Sequence, residues 1–194
     1  MPELHPKDGR PLIAFADAGE FERWLDDNSQ DSTGFWMKIA KKASGIPSIT
    51  YDETVDVALC FGWIDGQKGA YDSAWFLQRF TPRRPRSIWS KVNTQKVAAL
   101  TAAGRMRPAG LAEVEKAQAD GRWEAAYSGS RDTTVPADLQ EFLDGHPDAA
   151  AFWASLNATN RYPFLFRLQT AKRAETRAKR FAEFTRMLQA GEKF

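Results

Sequence analysis

Residues 128–134 (Ser-Gly-Ser-Arg-Asp-Thr-Thr) split this 194-residue chain into two parts that cannot fold alike. Beyond that stretch every apolar run has helical spacing: about 136–143, about 147–156, and a long helix from about Tyr162 to Ala190. The last brings Phe164, Leu168, Ala171, Ala178, Phe181 and Leu188 near one face, and its alanine-rich middle lets a neighbouring helix approach closely. Ahead of it, helical and strand-like patterns alternate. The expectation is an α+β fold. A mixed α/β part with a small, mainly antiparallel sheet spans 1–127, a linker spans 128–134, and an all-helical module spans 135–194.

The first part reads in short pieces. Residues 17–28 form an amphipathic helix, with Phe21, Trp24 and Leu25 on one side, Asp17 at its start and Asn28 at its end. Residues 34–42 are aromatic and partly alternating, hence a strand. Thr50 followed by Glu53 is a capping box, opening a helix that buries Val55, Ala58 and Leu59. Glycines at 62 and 66 mark a helix stop and a tight entry into strands over 63–72 and 74–80, with Phe76 and Phe80 turned inward. Residues 81–87 carry Pro82 and Pro85 and are expected to be a loop. Helices follow over 90–103, capped by Ser90, and over 108–119.

Composition excludes several classes. A hydrophobic share of 43% with 12% aromatics supports a core without covalent staples. The lone cysteine, Cys60, forms no internal disulfide framework and fits a reducing compartment. The leader over 1–10 is polar and has no apolar run, unlike a signal peptide, and no stretch has the length of a membrane span. A cytoplasmic location without membrane insertion is the expectation. Two histidines and one cysteine make a conventional metal site improbable, and no cofactor motif is present.

The charge is blocked. Residues 73–112 hold eight basic residues and no acidic one, while the flanking blocks 1–72 and 113–160 are each net acidic and 161–194 is basic again, so the total of +2 is a cancellation. The densest part is Arg79-Phe80-Thr81-Pro82-Arg83-Arg84-Pro85-Arg86-Ser87-Ile88-Trp89-Ser90-Lys91. Guanidinium forks on proline-stiffened backbone, just ahead of a helix start, suit phosphate or carboxylate. Arg79, Arg83, Arg84, Arg86 and Lys91 are therefore the candidate anion-binding residues, with Trp63 and Trp89 as apolar contacts. The competing reading makes Trp89 core and pairs the arginines with Asp65, Asp72 or the acidic first helix. Asp65, between Ile64 and Gly66, is either a general base or the counter-ion of Arg79 or Arg83. On the last helix Arg173, Arg177 and Arg180 share a face and call for acidic partners, which residues 113–148 can supply.

Taken together, Tyr51-Asp52-Glu53, the run from Ala58 to Gly66, Arg79 to Arg83, Trp89 to Asn93, Gly104-Arg105-Met106, Gly121-Arg122-Trp123 and the tail from Ala171 to Arg180 resemble the YdeI/OmpD-associated family, over about residues 17–190. The resemblance implies a bacterial stress or envelope-defence role, tied to protection against bacteriocins or antimicrobial peptides, and brings no catalytic residues with it. The sequence thus supports a non-enzymatic binder of an anionic ligand. The alternatives are an enzyme on a small anionic substrate with Asp65 as base, a nucleic-acid-binding protein, and a protein scaffold acting through the acidic helix that carries Glu20, Glu22 and Asp26.

Overall fold

The computed structural model describes residues 3–194; Met1 and Pro2 of the leader lie outside the described residues. Four strands form one sheet: β1 (Leu12–Ala14), β2 (Phe35–Ala40), β3 (Trp63–Ala70) and β4 (Trp75–Pro82), in the order β1-β2-β4-β3. Both contacts of β4 are antiparallel, and β1 lies parallel to β2. The sheet is mainly antiparallel, as expected, with β1 as an unforeseen short edge.

One face of the sheet is aromatic because the period-two pattern of β2 and β4 puts Phe35 opposite Phe80 and Ile39 opposite Phe76. Helix α1 (Ala18–Asn28) is capped by the Asp17 side chain, which accepts from Glu20 N–H, and drops Phe21 and Leu25 into this face. Phe21 meets Phe35 and Phe80 with ring centroids 5.9 and 5.8 Å apart, edge to face. Helix α2 (Tyr51–Cys60) starts at the full capping box of Thr50 and Glu53 and buries Val55, Val57, Ala58 and Leu59. Phe76 is half-buried rather than buried, with the Lys68 ammonium 4.4 Å above its ring.

The segment 81–87 begins later as a loop than its prolines suggest, because Thr81 and Pro82 continue β4 against Ile64 and Trp63. Arg83 N–H donates to Gly62 O at 3.0 Å, so the missing donor of Pro82 faces the other side, where β2 has already ended opposite Phe80. Gly62 has φ +74°, and a Cβ there would stand 2.9 Å from Ala109 O. Helices α3 (Lys91–Ala102) and α4 (Pro108–Ala119) follow, the latter opened by its proline.

Contacts divide the chain into two units: residues 1–89 with 93–125, and residues 90–92 with 126–194. The second unit holds α5 (Ala137–Gly145), α6 (Pro147–Ser155), α7 (Ala158–Gln169) and α8 (Ala174–Gln189) around Leu139, Trp153, Phe164, Leu168, Phe184 and Leu188. The long helix expected from about Tyr162 is broken at 170–173. In a continuous helix Phe164 and Phe184 would be about 30 Å apart, yet their ring centroids lie at 5.3 Å. The break lets the apolar face double back on itself. Thr170 Oγ1 turns to Phe166 O, and Arg180 Nη1 donates to Arg167 O near the end of α7. No helix among the described residues is long and apolar enough to cross a membrane.

Candidate functional site

The arginine segment comes apart into side chains with different surroundings. Arg79 lies in β4 across from Trp36, on the sheet face away from Phe80, with its Nε buried and unbonded. Arg83 is 7% exposed; its guanidinium carbon sits 3.4 Å from the centroid of the Trp89 ring, and Nη1 reaches Ile88 O at 3.4 Å. The stack is a cation–π contact inside the protein. Trp89 is itself 1% exposed, packed on Trp123 with centroids 4.9 Å apart, and Trp63 is 1% exposed beneath Trp24 and Phe35. Neither tryptophan presents a face to a ligand. Their large apolar rings are packed in the core.

What reaches solvent is a turn. Arg84, Pro85, Arg86 and Ser87 close it through Ser87 N–H to Arg84 O and Arg84 N–H to Ser87 Oγ, each at 2.9 Å. Proline at its second position fixes φ as such turns prefer. Arg122, 7% exposed, pins the far end by donating from Nη1 to Ser87 O at 2.9 Å. Arg84 and Arg86 are exposed, and neither makes an ion pair among the described residues. Lys91 is exposed at the first position of α3.

The rest of the basic block is compensated. Arg105 pairs with Glu22 at 3.0 Å, Arg107 with Asp26 at 3.5 Å, and Lys96 with Asp56 at 2.7 Å. The acidic first helix therefore does take up basic partners, but from 105 and 107 and not from the 79–86 cluster. Glu20 meanwhile accepts from Ala16 N–H. Glu22 and Asp26 are thus each paired within the unit. In the tail, Arg177 meets Asp138 through two bonds, Nη1 to Oδ2 at 2.5 Å and Nη2 to Oδ1 at 3.0 Å, the acidic partner its helix face called for.

Asp65 is half-buried and accepts from the Tyr51 hydroxyl at 2.7 Å. It makes no ion pair with an arginine among the described residues, which sets aside the counter-ion reading. The pair opens on a pocket of about 400 Å³ with Lys68, Phe76 and Gln78, and Gln78 Nε2 is engaged with Gly66 O at 2.9 Å. Burial pushes the Cys60 thiol pKa up, and the residue is 1% exposed, a core side chain.

Sequence reasoning missed the residues that frame the arginine turn from behind. Glu113, Lys116 and Asp120 come from α4 and its end, and with Arg122 they line a cleft of about 620 Å³ against Arg83 and Pro85. Gly121-Arg122-Trp123 was visible as a motif, but nothing in its spacing announced that it returns to residue 87.

Comparison with known proteins assigns the two parts separately. Residues 13–113, more than half of the chain, match the family model described as a domain of unknown function (DUF8412). Residues 132–191 match the model described as Bacteriocin-protection, YdeI or OmpD-Associated, a shorter span than the 17–190 over which the motifs suggested it. The description of this second family speaks of bacteriocin protection. No curated protein and no solved structure matches the chain. The chain belongs to the DUF8412 family, and behind that domain it carries a YdeI/OmpD-associated module.

Proposed function

We propose that this chain is a non-enzymatic binder of an anionic group, held by the guanidinium groups of Arg84 and Arg86, and that this binding serves a stress or envelope-defence role such as bacteriocin protection. One observation supports it above the others. Two exposed guanidiniums stand on a turn locked by Pro85 and two hydrogen bonds, and no carboxylate among the described residues neutralises them. Their entropy cost on binding is reduced because the backbone is fixed beforehand.

Isothermal titration of the full chain with inorganic pyrophosphate tests this, with labelled single- and double-stranded oligonucleotides as parallel probes. Each charge-assisted contact contributes about 1.5–3 kcal/mol, so the double variant Arg84→Gln/Arg86→Gln should bind pyrophosphate at least about a hundredfold more weakly. Affinity should fall as salt rises, and for the oligonucleotides the double variant should flatten that dependence by about two phosphate contacts. Unchanged affinity in the double variant, or indifference to salt, rejects the proposal. Tighter binding of oligonucleotide than of pyrophosphate would make nucleic acid the ligand class.

A second reading rests on Asp65 and Tyr51 at the mouth of their own pocket, where Asp65 would act as base on a small anionic substrate near Lys68. It requires pyrophosphate to perturb the NMR signals of Tyr51 and Gln78. Perturbation confined to 83–87 removes it.

A further inference from the structure

The cleft behind the arginine turn carries both signs of charge on its walls. Arg83, Lys116 and Arg122 stand with Glu113 and Asp120, and Pro85, the residue between the two exposed arginines, forms part of the same lining. Both arginines, Arg83 and Arg122, are more than nine-tenths buried. Burying guanidinium groups in a cleft wall is costly unless each is well bonded. Arg122 satisfies Nη1 on Ser87 O and Nε on both oxygens of Asp120 at 2.8 Å, while its Nη2 makes no hydrogen bond among the described residues. Glu113 holds Lys116 through Oε1 at 2.7 Å. The cleft thus combines cationic donors, led by the outer nitrogen of Arg122, with carboxylate acceptors.

We infer that this cleft seats a small phosphorylated sugar, its phosphate against Arg122 and Lys116 and its hydroxyls donating to Glu113 and Asp120. The inference goes beyond the reading that Arg84 and Arg86 bind anions, because Pro85 between them lines the cleft and the two arginines do not. Carboxylates in the wall repel a polyanion such as a nucleic-acid backbone, and they welcome a ligand with one anionic end and several hydroxyl donors. A volume of about 620 Å³ is within the usual range for such ligands. A bare phosphate would leave the carboxylate side unused.

The test is calorimetric titration of the full chain with ribose 5-phosphate, unphosphorylated ribose and inorganic phosphate. Ribose 5-phosphate should bind saturably, and at least about tenfold more tightly than either of the other two, the equivalent of one or two good hydrogen bonds. Glu113→Ala should lower affinity for ribose 5-phosphate about tenfold more than it lowers affinity for inorganic phosphate. Arg122→Lys, checked for folding by near-ultraviolet circular dichroism, should weaken both. If ribose 5-phosphate binds no more tightly than inorganic phosphate, or if Glu113→Ala treats the two ligands alike, the cleft inference is overturned, while pyrophosphate binding that depends on Arg84 and Arg86 leaves the anion site standing.

Discussion

Arg83 and Arg84 are neighbours in the chain and opposites in environment. One lies flat on Trp89 at 3.4 Å, and the other points from a turn into solvent. A cluster of guanidiniums on proline-stiffened backbone was legible in the sequence. Its division into a buried and an exposed pair was not, because the partner that buries Arg83 lies six residues on and returns only through the geometry of the turn. Arg122, Glu113 and Asp120 were illegible for a related reason: they reach the site by tertiary packing, and no local pattern carries that information. A smaller residue makes a sharper test of the same packing. Gly110 of α4 rests on the end of α2, where an added Cβ would run into Cys60 O and come within 2.8 Å of Leu59 O. Both obstacles are backbone, which cannot step aside cheaply. Gly110→Ala should therefore lower stability by about 2 kcal/mol or more, read as a drop in the urea midpoint with little change in slope.

Elements whose signals are local came through well. The capping box at Thr50, the aspartate cap of α1 and the proline start of α4 depend on residues within a turn of one another, and all three stand. The break between α7 and α8 escaped because helical periodicity continues across 170–173, while the contacts it serves, Phe164 on Phe184 and Arg180 on Arg167 O, are tertiary. The α5–α8 pair of Asp138 and Arg177 lends itself to a pH experiment. Arg177 holds the Asp138 carboxyl below its ordinary range. A depressed folded-state pKa means stability that is fully present above the unfolded value, about 4, and lost as pH falls through the folded one. Both side chains are more than a third exposed, 37% and 40%, so solvent screening limits the contribution to about 1 kcal/mol or less. Asp138→Asn should lower the melting temperature slightly at pH 7, and the difference from the native chain should vanish toward pH 2. A difference that persisted there would mean the pair contributes by packing.

At the scale of the whole molecule the block pattern of charge was plain, and the sum of +2 concealed it. The blocks meet only through tertiary packing. In the first unit Arg105, Arg107 and Lys96 are spent on Glu22, Asp26 and Asp56, and the turn at 84–87 is left with its guanidiniums outward. Each unit also keeps its own buried core, the first aromatic and built on the sheet, the second built from four helices. The α+β class and the place of the all-helical part were legible because strand-like patterns mix with helical ones only ahead of 128–134, and helical spacing alone follows it. The short parallel β1 was not, since three residues are too few to show a period.

An outward pair of fixed cations on a nearly neutral protein has a consequence at the bench. A cation-exchange resin senses the side that touches it and not the sum over the polymer. The native chain should be retained at neutral pH beyond what a formal +2 suggests, and Arg84→Gln/Arg86→Gln should elute markedly earlier than a variant losing the same two charges at Arg105 and Arg107. Equal elution of the two variants would mean that adsorption averages over the entire surface, with no preferred orientation on the bead.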